Sequence, residues 1–413
     1  MKTNHSPSSR RQFLKTAVAV PAGLALAHNI SAQAAATETA PPPVASPAPA
    51  ATLPRRPLGR DGTPVTMMTL GGSMSAHSVE LMNIAWAMGV RYFDTARSYL
   101  NGKSEADVSQ WLTKYPERRK EIFLVSKDRP RSPEEMLELI DKRLAACNTT
   151  YLDAFYMHGM GPRDYGEESL EWPKSNKFKK VAEQLKSSGK VKKVGFSCHD
   201  PRLIDYLNAA AEGGFLDVIM LAYNPFYEKG GAFDKALDAC HKAGIGLVAM
   251  KTMRNASDVP KRIPEFDKLG LTVHQANMHA VWSDPRISAI CNAVENVTQM
   301  ESSTSAARSY KEPLKTAHVE LLKEVILTHR RSMCPGCPAC AEAAGQTDLA
   351  FHDIARYVMY YEQDGSLEAK DFYRALPAAA RDLSQINLTA LRDNCAFRID
   401  YANILKRAER YFA

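Results

Sequence analysis

Four side chains in the first half of the chain have the types needed for joint proton chemistry: Asp94, Tyr99, Lys127 and His158. Arg91–Tyr99 reads RYFDTARSY, a short buried strand that delivers Asp94 at its C-terminal end, with Tyr99 on the loop beyond. Two further apolar runs also finish on an ionisable residue. IFLVSK (Ile122–Lys127) ends on Lys127, and LDAFYMH (Leu152–His158) ends on His158. In a barrel of parallel strands the C-terminal strand ends converge on one mouth, so such a set would share a pocket. A phenol with an ordinary pKa near ~10 is a poor acid at neutral pH. A lysine ammonium beside it favours the phenolate and lowers that pKa, while a buried carboxylate keeps the lysine charged. Tyr99 would then give a proton to a carbonyl oxygen as hydride reaches the carbon, and His158 would orient the carbonyl or relay the proton. Singly, each residue has a plainer reading: Asp94 as a helix cap, Lys127 as a surface lysine, His158 as a core histidine. Their recurrence at successive strand ends favours the chemical one.

A second set of reactive residues lies near the C-terminus. The run MCPGCPAC places Cys334, Cys337 and Cys340 at C-x2-C-x2-C spacing. Thiols this close strain to form disulfides among themselves but suit a metal centre. Tetrahedral thiolate sets accept either zinc or an iron–sulfur cluster, so both metals stay open on spacing alone. Cys147, Cys198, Cys240 and Cys291 fall on apolar or strand-end positions and read as ordinary buried cysteines.

The elements that must position the first set alternate along the chain. RPLGRDGTPV (Arg56–Val65) reads as a hairpin plugging one end of a barrel, and MMTLGG (Met67–Gly72) as the first barrel strand. Helical patterns then alternate with short apolar runs through Val191–Ser197, Leu216–Asn224, Gly244–Met250 and Ile287–Ala293. This pattern predicts an α/β fold, a (β/α)8 TIM barrel over residues 55–310. A doubly wound sheet is disfavoured because the glycine-rich G-x-G-x-x-G dinucleotide loop is absent. After about Arg308 the alternation stops. Residues 311–413 read as a helical extension carrying the cysteine cluster, with one long helix expected over Glu312–Arg330 and helical spacing in Leu349–Tyr361 and Tyr401–Phe412. The tyrosines at 357, 360 and 361 read as packing residues.

Over residues 55–310 the chain resembles an aldo-keto reductase. FDTARSY matches that family's D-T-A-x-x-Y element, and Asn101–Glu105 (NGKSE) follows where the family has a glycine-rich turn with Ser/Asn-Glu. The resemblance implies a catalytic tetrad of Asp94, Tyr99, Lys127 and His158, with NADP or NAD as cofactor and a small carbonyl or alcohol as substrate. It implies nicotinamide contacts at Ser197 and Met220, with Cys198 where the family has Asn and Met220 where it has Gln. It also puts Lys251 near the pyrophosphate and Gln299 at a position usually holding the adenosine end, without the basic partner of a 2′-phosphate. The tail resembles a ferredoxin-like extension. In two-cluster bacterial ferredoxins the fourth cysteine of each run ligates the other cluster. Mapped so, Cys334, Cys337, Cys340 and Cys395 are the complete set for one cluster, while Ala344, Gln385, Leu388 and Leu391 stand where the other set would be. The resemblance thus implies one 4Fe-4S cluster, with a four-cysteine zinc site as the alternative.

The N-terminus predicts export. Ser9–Lys15 reads SRRQFLK, a twin-arginine motif, followed by the weakly apolar TAVAVPAGLALA and a small-residue stretch, SAQAAA, suited to cleavage. Residues 1–36 read as a signal peptide for the twin-arginine export machinery, with a periplasmic or other extracytoplasmic destination, and residues 37–54 as a Pro/Ala-rich linker. No later segment approaches the ~20 apolar residues of a spanning helix, so no membrane span is expected after the signal is removed. Removing Lys2, Arg10, Arg11 and Lys15 takes the formal net charge from +7 to +3, which does not imply a nucleic-acid partner. Two functions follow. One is an exported, nicotinamide-dependent carbonyl reductase carrying a cluster. The other is a reductase-derived electron-transfer or accessory protein, with a redox partner and the barrel as scaffold.

Overall fold

The computed structural model describes residues 52–72, 78–253, 259–328, 334, 350–382, 387–395 and 399–412. The twin-arginine segment, most of the linker, Cys337 and Cys340 lie outside them. β1 (Arg55–Leu58) and β2 (Thr63–Thr66) form an antiparallel hairpin. Its turn passes through Gly59 at φ 75°, where an added Cβ would lie 2.9 Å from the Asp217 carbonyl oxygen. Backbone and space both demand glycine there.

Eight parallel strands follow: β3 (Met68–Gly71), β4 (Tyr92–Asp94), β5 (Phe123–Asp128), β6 (Leu152–Met157), β7 (Val191–Cys198), β8 (Val218–Ala222), β9 (Gly246–Met250) and β10 (Ile287–Ala293). Each pairs with the next, and β10 returns to β3 to close the barrel. The period-two alternation of strands sorts the side chains. Tyr92, Val125, Tyr156, Met220 and Val248 fill the interior together with Leu58 and Val65 of the hairpin, which is the expected plug. Phe93, Leu124, Phe155 and Phe196 face outward and pack against Trp111, Ile140, Leu185 and Leu207 of the surrounding helices. Some of the surrounding helices begin at a side-chain cap. Ser78 accepts from the Leu81 amide, Ser175 from that of Phe178, and Thr272 forms a capping box with Gln275.

The expected architecture is present, with local differences. β5 runs one residue past Lys127 and β6 stops one short of His158. The helix expected from Glu312 starts only at Thr316 and is described to Thr328. Pro313 disfavours helical backbone at the residue before it, which keeps Glu312 out of the helix. That helix packs Leu322 and Ile326 on Val273, Ala276 and Ala280 of the barrel helix Val273–Trp282.

The extension has its own apolar core, built by helices Phe351–Asp364, Glu368–Ala375, Leu388–Asn394 and Tyr401–Phe412. It reaches back to the barrel mouth. Asn101, on the loop after β4, donates to the carbonyl of Gly365, the left-handed residue that ends the first of these helices.

Candidate active site

The alternation that fills the interior also builds the site. Asp94, Lys127 and His158 each lie two residues beyond an interior side chain, namely Tyr92, Val125 and Tyr156. They therefore continue the same inward face one layer higher. Strand register staggers them, since Asp94 pairs with Val125 and Lys127 with Tyr156. Tyr99 comes from the loop after β4. Beyond it the chain reverses through Leu100 (φ 51°) and Asn101 (φ 56°), both left-handed, and Gly102 (φ 93°), before the helix Lys103–Lys114 begins. Left-handed backbone at a non-glycine residue costs roughly 1–3 kcal/mol and concentrates at functional loops.

Lys127 ties the group together. Its fully buried ammonium lies 2.7 Å from the Asp94 carboxylate, 2.9 Å from the Thr95 carbonyl oxygen and 3.1 Å from the Tyr99 hydroxyl. Its three donors match those three acceptors. The ammonium also stands 4.5 Å from the centre of the Tyr99 ring. Burial pushes the Asp94 carboxyl up, and the Lys127 ammonium opposes it. The two stay ionised together because neutralising one leaves the other as an unpaired buried charge. His158 meets the Tyr99 ring edge-on at 5.3 Å, and its Nδ1 is 3.1 Å from the Ser98 hydroxyl. Burial, with Arg129 and Lys127 nearby, holds this imidazole well below its ordinary pKa. It is neutral at physiological pH.

Tyr99 and His158 open onto a cavity of about 250 Å³ that also presents Ser197, Met220 and Lys251. The structure thus brings the tetrad and three of the four expected cofactor positions together. Gln299 is not among them. It is exposed on the first turn of the helix Val297–Ser309, where its side-chain oxygen accepts from the Glu295 amide at 2.7 Å. Its side chain is spent on a local turn of the chain. Cys198 is buried away from the cavity, as read from the sequence, but Cys291 is only half-buried and lines it, with Sγ 3.7 Å from Asp94.

Sequence reasoning missed His199 and the contribution of the extension. Tyr360, Phe372 and Glu368 come from the tail helices and line the same cavity, so Tyr360 is more than packing. His199 directly follows β7 as His158 follows β6. A further strand ending on an ionisable residue was the available signal. In the tail, Cys334 and Cys395 are both buried in one apolar core, neither is in a disulfide, and the Tyr401 hydroxyl donates to Cys334 Sγ at 3.3 Å. Among the described residues no three metal-ligating side chains cluster; Cys337 and Cys340 are outside that set.

The buried histidines set an acid limit on stability. His199, like His158, is held well below the ordinary value by burial and by nearby cations, Lys251 and Arg356. Below ~6.5 the unfolded chain binds protons that these two native imidazoles do not. The unfolded state is then favoured, so stability is full above that pH and falls as pH drops beneath it. Denaturant midpoints measured from pH 7.5 to 5 are expected to decline, and to decline less in a His199→Asn variant.

A sequence profile of the Aldo/keto reductase family matches residues 66–321. The uncharacterized oxidoreductase YqkF of Bacillus subtilis is 21% identical over 320 residues, covering 67% of this chain and 99% of its own. Among solved structures, a thermostable aldo-keto reductase, Tm1743, in complex with the inhibitor epalrestat, superposes with a TM-score of 0.53 at 24% identity, over 66% of this chain and 99% of its own. An aldo/keto reductase from Klebsiella pneumoniae in complex with NADP and acetate gives a TM-score of 0.53 at 18% identity, over 66% and 96%. At such identities the superpositions speak for the fold. The profile match extends over more than half the sequence and takes in all four tetrad positions. The chain belongs to the aldo-keto reductase family.

Proposed function

We propose that the protein is an exported oxidoreductase that reduces a small carbonyl compound to its alcohol, using NADP or NAD as hydride source. The observation that carries this reading is the Lys127 ammonium, held between Asp94 and the Tyr99 hydroxyl at the cavity wall. At its reactive end the nucleotide suits the residues present. Ser197 Oγ accepts from the Gly159 amide at 2.8 Å and keeps its own proton for a carboxamide oxygen, and Met220 offers an apolar surface for a ring. The bound nicotinamide would supply hydride. The remaining work falls to the chain. Tyr99 gives its proton to the carbonyl oxygen, and Lys127 stabilises the phenolate left behind. Asp94 holds the ammonium in place. With Ser98 on Nδ1, the neutral His158 ring has Nε2 left to meet the carbonyl oxygen. Carbonyl-dependent oxidation of NADPH or NADH by the purified full-length protein tests the reading.

A second reading, an electron-transfer or accessory protein with the barrel as scaffold, is favoured by Met220, which lacks the hydrogen-bonding group of the family's glutamine, and by the tail helix at the mouth. Nucleotide that fails to bind would leave this one standing.

We further propose that the tail holds one 4Fe-4S cluster on Cys334, Cys337, Cys340 and Cys395. Two of these ligands come from distant parts of the tail yet share one buried core, and Tyr401 already offers a hydrogen bond to sulfur. Such a cluster would supply one-electron transfer. Twin-arginine export carries folded, cofactor-loaded proteins, which agrees with assembly before transport. Purified anaerobically, the protein is expected to be brown with about four irons per chain, and Cys395→Ala to bleach it. A colourless protein holding a single zinc would reject iron in favour of a structural site.

A further inference from the structure

The barrel mouth carries a second phenol–lysine–histidine group, and its phenol comes from outside the barrel. Tyr360, on the tail helix Phe351–Asp364, has its hydroxyl 2.9 Å from Lys251 Nζ and 2.9 Å from His199 Nε2. The hydrogen positions follow from the next partner along. Arg356 Nη1 donates to His199 Nδ1 at 3.1 Å, so the ring proton sits on Nε2 and points at Tyr360. Arg356 is itself fixed. It is buried, with Asp353 at 3.1 Å and Asp164 at 3.4 Å. Burial and the two neighbouring cations keep His199 neutral, so this assignment holds across physiological pH.

The Tyr360 oxygen therefore accepts twice, from the imidazole and from the ammonium, which fills both lone pairs. Its own proton is left to donate. Lys251 keeps further donors and, among the described residues, forms no ion pair. Asp164 and Asp353 are engaged with Arg356, Arg129 and Arg163, and Glu368 lines the cavity without pairing to Lys251. Lys251 also holds left-handed backbone (φ 55°), a strained conformation that aims this one side chain. A half-buried ammonium that meets no carboxylate among the described residues, beside a phenol whose proton is left to donate, suits an oxyanion. Methionines 220, 250, 253 and 359 form the wall along the same cavity, apolar and adaptable.

We infer that Tyr360 and Lys251 bind the carboxylate of an oxo acid whose carbonyl is presented to Tyr99 and His158. The inference rests on the carbonyl-reducing reading above and narrows its substrate class. The tail then serves as one wall of the specificity pocket, which the barrel alone does not complete.

The pyrophosphate of a nucleotide shares the carboxylate's chemistry, so the test separates the two. Pyruvate, acetoacetate and levulinate are compared with their methyl esters as substrates of the full-length protein. Binding of the same compounds and of NADPH is followed by calorimetry. The acids are expected to show a lower KM than their esters. In Tyr360→Phe and Lys251→Gln the acid-to-ester KM ratio should rise toward one, a loss of roughly ten- to a hundredfold for a charge-assisted hydrogen bond. Equal KM for acids and esters in the unaltered protein overturns the inference. So does a loss confined to NADPH affinity in both variants, which assigns the site to the cofactor. If no carbonyl is turned over, the catalytic reading fails by itself. Tighter calorimetric binding of the acids, abolished in both variants, would then still uphold the anion site, and no difference between acids and esters would reject it.

Discussion

Replacing Tyr99 by phenylalanine is expected to lower kcat for carbonyl reduction by about 10²–10⁴-fold, the usual contribution of a positioned proton donor. The change removes one oxygen and little else. The ring keeps its edge-on contact with His158 and its place beneath the Lys127 ammonium. Lys127 loses one of three acceptors but retains the Asp94 carboxylate and the Thr95 carbonyl, so the net cost in stability should stay near ~1 kcal/mol. Nucleotide affinity, followed by quenching of protein fluorescence, is expected to be unaltered. Steady-state rates beside that titration separate a lost proton donor from a damaged site.

The second large effect concerns stability. Lys127→Met leaves the Asp94 carboxylate at the barrel mouth without its cation, and that residue is 1% exposed. Losing one partner of a buried ion pair typically costs about 3–5 kcal/mol, because the other charge stays buried. Adding Asp94→Asn to Lys127→Met removes the stranded charge, so the double variant should regain much of the loss and remain inactive. Urea unfolding of the two single variants and the double variant gives the coupling between them directly. If Lys127→Met were as stable as the unaltered protein, the pair would not be the buried ionic contact described above.

Much of the barrel was legible because its strands are short apolar runs, three of which deliver an ionisable residue at or next to their C-terminal end. Period-two alternation carries an inward tyrosine or valine to an inward Asp94, Lys127 or His158 two positions later. The tetrad's convergence could thus be read from spacing together with the assumption of a closed barrel. What escaped depended on contacts between distant segments. Nothing local to Tyr360 says that its helix lies over the barrel mouth, since an amphipathic helix buries tyrosines whichever surface it meets. That the helix does not begin at Glu312 was legible in Pro313. Gln299 lies outside the cavity lining for another reason. A position transferred by likeness carries no guarantee of side-chain direction, and here the helix N-terminus turned that side chain toward Glu295.

On the proposed function, a nicotinamide at this barrel mouth gives hydride to a carbonyl that Tyr99 protonates. Reduced nicotinamide nucleotide carrying deuterium at its transferable position tests it most directly, with the product analysed by mass spectrometry. Deuterium is expected on the alcohol carbon formed by the unaltered protein, and labelling about 10²–10⁴-fold slower with Tyr99→Phe. Bound nucleotide that never passes its label to any carbonyl, or label passed equally well without the phenol oxygen, would contradict it.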